Sequence, residues 1–188
     1  MLMRFFVTII LIALVIFFGV LIFGHHPQNG STKPITTTKS LADYSNTNAD
    51  VKLTIDGIIN GDDVHRQIQV TVSSTARTLD IIGGYNGNVI RSKLYVNNPT
   101  AFQTFLKALQ LNGFNKTRKT TITDDQGFCA QGQRYIYQLE NTGTASKDFR
   151  LWGSSCGGGT SGGLGQNLRD LFSNQISDYD ALTNDVSI

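Results

Sequence analysis

The longest apolar run in the chain is Phe5–Phe23, nineteen residues in which Thr8 is the only polar side chain and none is charged. A helix of that length rises about 28 Å, close to the thickness of the hydrocarbon core of a bilayer. The pattern therefore predicts a transmembrane helix within residues 1–24, with the lipid bilayer as the partner of Phe5–Phe23.

Polar residues dominate the next segment, residues 25–49, which is rich in Ser, Thr, Asn, Lys and Pro. Such a composition has too few apolar positions to build a core, so we predict a flexible linker. Regular hydrophobic patterns begin at position 51, and we expect a single domain over residues 50–178. Residues 179–188 are predicted to form a frayed acidic tail.

Alternating apolar and polar residues predict strands in the first half of the domain. A turn signal, Asn60-Gly61-Asp62-Asp63, separates the first two alternating runs, and Asn86-Gly87 marks a second hairpin. The predicted strands are Val51–Ile59, His65–Ser74, Leu79–Ile82 and Val89–Val96.

A helix follows these strands, and both of its ends carry capping signals. Asn98 is a predicted N-cap with Pro99 at the first helical position, and Gly113 is suited to the position just after the last turn. The apolar residues between these signals share one helical face, which predicts a buried stripe. They are Phe102, Phe105, Leu106 and Leu109.

The second half of the domain predicts further strands and a second helix. Arg134–Leu139 and Lys147–Trp152 are strands separated by a turn, Thr120–Thr123 is a short strand candidate, and Gln166–Ile176 has helical periodicity. The order of four strands, a helix, further strands and a helix predicts an α+β domain. We expect a mostly antiparallel sheet with two helices packed on it.

Composition and charge narrow the function classes. The chain of 188 residues has a net charge of +2, too little for a field that would attract nucleic acid, so we expect no nucleic-acid partner. The densest basic cluster is Lys116, Arg118 and Lys119. We interpret it as a solvated loop, with an anion or phosphate contact as the alternative.

Two cysteines, Cys129 and Cys156, lie in the domain. In an exported domain they most simply form one disulfide, which would stabilise the fold by about 3.5 kcal/mol on the chain-entropy model. The alternative is a pair of buried free thiols. Neither cysteine belongs to a ligand spacing typical of zinc sites, so no metal is predicted.

We expect the apolar segment to stay in place as an uncleaved anchor. It is longer than the core of a typical signal peptide, and no small-x-small cleavage site follows it. The charge rule for orientation is nearly balanced, because Arg4 lies before the segment and Lys33 and Lys39 lie after it. The short head and the cysteine pair favour a cytoplasmic N-terminus and a domain outside, which predicts a single-pass membrane protein.

A glycine-rich stretch follows the last predicted strand, with six glycines among the nine residues of Gly157–Gly165. A phosphate-cradling P-loop would need a lysine after its last glycine, and none is present. We predict either a structural loop beside the disulfide or a recognition loop for a peptide or glycan. The residues assigned to this loop are Trp152, Gly157, Gly158, Gly159, Thr160 and Ser161.

Two serine motifs raise the alternative of a small hydrolase. Ser155 lies in a GxSxG pattern, but no histidine follows it as the α/β-hydrolase order requires. Gly159–Gly163 is similar to the serine motif of chymotrypsin-like proteases, and His65, Asp80 and Ser161 follow that family's chain order. The resemblance covers five residues and lacks that family's setting around the histidine, so no catalytic residue is assigned.

The leading functional hypothesis is therefore a membrane-anchored extracytoplasmic binding module without enzymatic activity or a cofactor. Its partner would be a protein or glycan of the cell envelope. The alternatives are a small envelope hydrolase and a structural subunit of an envelope assembly.

Overall fold

Six antiparallel strands form one sheet in the computed structural model, which describes residues 40–141 and 147–188. The strands are β1 (Ala49–Asp56), β2 (Arg66–Val72), β3 (Ala76–Gly83), β4 (Asn88–Val96), β5 (Arg134–Asn141) and β6 (Lys147–Ser154). Their order across the sheet is β4-β3-β2-β1-β5-β6, so β1 is central and β4 and β6 are the edges. This sheet with its helices confirms the predicted α+β domain.

In the described residues three α-helices accompany the sheet: α1 (Pro99–Leu111), α2 (Gly165–Ser173) and the short α3 (Tyr179–Thr183). Helix α1 begins as predicted, because the Asn98 side chain accepts a hydrogen bond from the Ala101 N–H at 2.9 Å. Gly113 follows the end of α1 with a φ of 76°, a left-handed conformation that glycine adopts without strain.

The hydrophobic core lies between one face of the sheet and helices α1 and α2. On β1 the inward residues are Val51, Leu53 and Ile55, which pair with Val72, Val70 and Ile68 of β2 and so present matched apolar rows. The predicted stripe of α1 completes this core. Its four members, Phe102, Phe105, Leu106 and Leu109, are each no more than 4% exposed.

Part of residues 25–49, the segment that we predicted as a flexible linker, packs against the domain. Residues Leu41–Tyr44 form a 3₁₀ helix, and its Leu41 side chain is 1% exposed. Ser40 caps this helix, and both its hydroxyl and the Leu41 N–H donate to Oε1 of Gln110 on α1. A single short apolar pair, Leu41 and Tyr44, is enough to attach a polar segment to the core.

The segment that we predicted as a frayed tail packs against the domain. It contains α3, and its residues Tyr179, Leu182, Val186 and Ile188 contact the core. The Asp185 carboxylate accepts two hydrogen bonds from Arg91 of β4, at 2.9 and 2.7 Å, which lowers the pKa of Asp185. The charge of Asp185 is therefore compensated by Arg91, ninety-four positions earlier in the chain. A local sequence pattern cannot reveal a partner at that separation.

Two further predictions have different outcomes. Thr120–Thr123 forms no strand, whereas Cys129 and Cys156 form the predicted disulfide, with their Cα atoms 5.7 Å apart.

Within residues 40–141 and 147–188, no helix has the length and apolar character needed to cross a bilayer. The predicted anchor Phe5–Phe23 lies outside the described residues.

Candidate functional site

The glycine-rich loop, residues 157–164, runs along the edge of β6 and joins it to the start of α2. The Ser161 N–H donates to the Trp152 carbonyl at 2.8 Å, and the Trp152 N–H donates to Oγ1 of Thr160 at 3.0 Å. On its other side the loop accepts the Arg118 N–H at the Thr160 carbonyl, at 2.8 Å. The loop therefore covers the β6 edge and fills the space between β6 and residues 112–118.

Glycine is required in this loop where backbone segments approach closely. Gly159 has a φ of 106°, and a Cβ there would lie 2.3 Å from the Trp152 carbonyl oxygen. A Cβ at Gly163 would lie 2.6 Å from the Gly113 carbonyl oxygen. The glycines hold the loop against its neighbours, as the structural interpretation of the sequence expected.

A small pocket of about 130 Å³ lies beneath the loop, at the amino-terminal end of α2. Its walls come from the segment after α1, from β5, from β6, from the loop and from α2. The lining residues are Arg118, Tyr135, Tyr137, Gly153, Ser154, Gly157, Gly158, Ser161, Gly165 and Arg169. All of them lie in the described part of the chain, and no carboxylate is among them.

Two arginines give the pocket its charge. Arg169 lies over the Tyr135 ring, with its guanidinium carbon 4.1 Å from the ring centroid, so a cation–π contact holds it in place. Arg118 is exposed and lines the pocket from the segment that follows α1. Within the described residues neither arginine has a carboxylate partner, which leaves two uncompensated positive charges at the site.

Tyr137 forms the floor of the pocket and is 1% exposed. Burial raises the pKa of Tyr137 to about 12, although the neighbouring Arg169 acts in the opposite direction. The phenol is therefore neutral at physiological pH, and it donates a hydrogen bond of 3.4 Å to the Gly165 carbonyl. It adds no negative charge that would oppose the arginines.

The Ser161 hydroxyl is a buried polar group of the site that lacks a hydrogen-bond partner in the described residues. Ser161 is 8% exposed, and its Oγ has no hydrogen-bond partner within the described residues. A buried hydroxyl without a partner costs about 1–3 kcal/mol. Ser161 lines the pocket, and a ligand oxygen that reached its hydroxyl would remove this cost.

The six residues of the predicted recognition loop divide into two groups. Gly157, Gly158 and Ser161 line the pocket, and the first two are exposed. Trp152 is 1% exposed, points away from the pocket, donates its indole N–H to the Thr123 carbonyl at 3.1 Å, and packs on a phenylalanine ring. Together with Gly159 and Thr160 it holds the loop in place, so it offers no aromatic contact surface.

The buried histidine of the hydrolase hypothesis, His65, belongs to a different cluster. It is 0% exposed and stacks on the Tyr85 ring, with ring centroids 4.0 Å apart. Its Nε2 lies 2.8 Å from Oδ1 of Asp56, and its Nδ1 lies 3.0 Å from the Ile58 carbonyl oxygen. Both ring nitrogens are occupied, so no hydroxyl contacts either of them.

The remaining residues of that hypothesis have other neighbours. Asp80 accepts a hydrogen bond from a serine hydroxyl on β4. Ser155 Oγ accepts a backbone N–H at 2.9 Å and lies 3.5 Å from the Cys129 sulfur. Ser161 lines the pocket. The structure therefore does not bring His65, Asp80 and Ser161 together as a triad.

The adjacent carboxylates Asp124 and Asp125 diverge, as expected of neighbours in a turn. Asp124 accepts the Gln126 N–H at 3.0 Å, while Asp125 forms two hydrogen bonds with Arg150 at 2.8 and 2.9 Å. Burial acts to raise the pKa of Asp125, but the hydrogen bonds and charge of Arg150 outweigh it and lower the pKa. Among the described residues, no group of three or more His, Cys, Asp or Glu side chains could hold a metal ion.

Sequence reasoning missed the residues that reach the pocket from distant elements. Arg169 and Tyr137 lie on an ordinary helix and strand, and no local pattern distinguishes them. The one available signal was the basic cluster around Arg118, for which an anion contact was the alternative interpretation. Of its three members only Arg118 lines the pocket.

Comparison of the chain with protein-family models, with curated proteins and with solved structures found no match.

Proposed function

We propose that the protein is a membrane-anchored extracytoplasmic binding module whose ligand site is the pocket beneath the glycine-rich loop. The module is not an enzyme in this proposal. It recognises a component of the cell envelope while the apolar segment Phe5–Phe23 keeps it at the membrane.

Two features support the compartment. Phe5–Phe23 has the length and apolar character of a bilayer-spanning helix. The Cys129–Cys156 disulfide is typical of proteins outside the reducing cytosol. An anchor that is followed by a cross-linked domain fits a single-pass protein with the domain exported.

The observation that carries the binding proposal is that the pocket has positive charge and a buried hydroxyl without partners for either. Arg118 and Arg169 bring positive charge without a carboxylate partner in the described residues, and the buried Ser161 hydroxyl lacks an acceptor or donor there. Buried polar groups are normally satisfied within a protein. An unsatisfied hydroxyl beside two arginines that have no carboxylate partner in the described residues is typical of a site that is completed by a ligand.

Surface labelling tests the compartment. All eight lysines follow the apolar segment, from Lys33 to Lys147, so a membrane-impermeant amine reagent should label the protein in intact cells. A cytoplasmic marker protein in the same cells is the control and should remain unlabelled. Labelling of the chain only after lysis would contradict an exported domain.

A variant that fills the pocket tests the binding site. Gly153 lines the pocket, and a Cβ there would meet no heavy atom within 4 Å. We expect Gly153→Val to abolish co-sedimentation of the full chain, in detergent, with envelope fragments of the source cells. Thr71→Val on β2, outside the pocket, is the control and should bind as the natural chain does. Equal sedimentation of the Gly153→Val variant would place the ligand site elsewhere.

A further inference from the structure

We infer that the pocket beneath the glycine-rich loop binds a phosphate group of its ligand through Arg118, Arg169, Ser161 and the first turn of α2. This inference rests on the proposed function and names the chemistry that the site recognises. The phosphate enters the pocket, and the remainder of the ligand lies outside it.

The two guanidinium groups provide the charge for an anion. Each presents a planar fork of N–H donors that matches phosphate oxygens in pairs. The stacking of Arg169 on Tyr135 fixes its plane, and its Nη2 donates to Oε1 of Gln166, so a ligand would meet the remaining N–H groups. Because no carboxylate lines the pocket, an anion would not have to displace a competing counter-ion.

The first turn of α2 adds backbone donors. Leu164 stands at the N-cap position and makes no side-chain capping bond. In the described part of the chain the N–H groups of Gly165, Gln166 and Asn167 have no acceptor, and the first paired amide is that of Leu168, which donates to the Leu164 carbonyl. Of these three residues Gly165 lines the pocket, and a free amide together with the helix dipole favours an anion at this position.

A helix start is common to many proteins, but the Ser161 hydroxyl is an independent indication of a ligand. Its side chain is more than nine-tenths buried, lines the same pocket, and lacks a hydrogen-bond partner within the described residues. A serine hydroxyl can donate one hydrogen bond to an anionic oxygen. The Ser161 hydroxyl and the Gly165 amide therefore belong to residues that line the same pocket, and neither group has a partner in the described residues.

The size of the pocket and the origin of its donors favour phosphate over other anions. A volume of about 130 Å³ is small beside the roughly 300–1,000 Å³ of pockets for whole small molecules, so one functional group fits. The lining residues that carry donors come from three separate elements: the segment after α1, the loop and α2. A carboxylate offers two coplanar oxygens, whereas a phosphate offers three or more in a tetrahedral arrangement.

Binding of inorganic phosphate to the full chain in detergent tests the inference by isothermal titration calorimetry, with acetate at equal ionic strength as the comparison. We expect phosphate to bind and acetate to bind at least about tenfold more weakly. Arg118→Gln and Arg169→Gln should each weaken phosphate binding about tenfold or more, since each removes a charge-assisted hydrogen bond. Lys119→Gln, one position from Arg118 and outside the lining, should change it less than twofold.

Glycerol 3-phosphate and dimethyl phosphate extend the test to the source of the group. Any of the three phosphates that binds with the expected sensitivity to both arginine variants supports the inference, and their order of affinity separates free phosphate, monoester and diester ligands. Because Arg169 also packs on Tyr135, Arg118→Gln at its exposed position keeps the test independent of folding defects. Binding that is equal for acetate and phosphate, or unchanged in both variants, would identify an adventitious ion only and overturn the inference.

The failure of this inference can be told apart from the failure of the proposed function. If Gly153→Val abolishes sedimentation with envelope fragments and no phosphate binds, the pocket is a ligand site for another chemistry and only the phosphate inference is wrong. If Gly153→Val changes neither sedimentation nor phosphate binding, both the site and its ligand are wrong.

Discussion

Replacing Asp56 with asparagine is expected to lower the free energy of unfolding by about 3–5 kcal/mol. The carboxylate lies between His65, 2.8 Å from Oδ1, and Arg134, whose Nε donates to Oδ2 at 2.8 Å. Arg134 is 3% exposed, so Asp56→Asn leaves a buried cation without its counter-charge. Urea denaturation, followed through the fluorescence of the single tryptophan, Trp152, measures the change.

Two further variants isolate the cause of that loss. Asp63→Asn makes the same chemical change at an exposed position of the β1–β2 loop, and it should alter stability by less than about 0.5 kcal/mol. Combining Asp56→Asn with Arg134→Met removes the stranded cation and should recover part of the loss. A cost below about 1 kcal/mol for Asp56→Asn alone would mean that water screens this cluster, and the prediction would be wrong.

The Asp56 cluster also explains the position of the only histidine in the domain. His65 fitted a catalytic order in the sequence, yet its ring is buried between Asp56, the Ile58 carbonyl and the Tyr85 ring. Arg134, which lies 78 positions after Asp56 in the chain, donates to the same carboxylate. The order of residues along the chain could not distinguish a catalytic histidine from a structural one that contacts a loop and a strand.

Elements specified by neighbouring residues were predicted well from the sequence. Helix α1 is the clearest case, because its cap at Asn98, its proline at position 99 and its buried stripe are all local signals. The strand alternation on β1 and β2 is local as well, and the register places the apolar residues of both strands on one face. The α+β class followed from the order of such elements.

Elements that depend on distant contacts were not predicted. Leu41 lies in a polar segment, and only the surface of α1 turns it into a core residue. The final residues carry aspartates that look uncompensated until Arg91 of β4 is placed beside Asp185. In both cases the stabilising partner is at least sixty-nine positions away, so no window of local sequence contains it.

The candidate site was predicted in part, because some of its residues follow a local pattern and others come from distant elements. The glycine-rich loop was visible in the sequence, and three of its predicted recognition residues line the pocket. Trp152 was assigned to the recognition loop, but the alternation of β6 points it to the opposite face from Gly153, where it packs on Phe128. The arginines that give the pocket its charge come from two other elements, so their position at the pocket could be identified only from the fold.

Removing the disulfide is expected to lower the free energy of unfolding by about 3.5 kcal/mol. Cys129 and Cys156 are separated by 27 positions, and the cross-link restricts the unfolded chain over that length in the chain-entropy model. The double variant Cys129→Ser/Cys156→Ser should therefore unfold at a lower urea concentration. Its denaturant slope should rise as well, because an unfolded chain without the cross-link exposes more surface.

Reduction of the natural chain is the matched control, since it opens the same bond without changing the sequence. Natural protein in reductant should unfold at the same urea concentration as the double variant, and reductant should have no effect on that variant. Because β5 and β6 lie between the two cysteines and pair with each other from Arg134 to Glu140, the sheet itself should survive the loss. Thiol titration shows whether the reductant has opened the bond. If the bond is open and the natural chain still unfolds at an unchanged urea concentration, the prediction is wrong. In that case the strand pairing, rather than the cross-link, would be what holds the region beside the pocket.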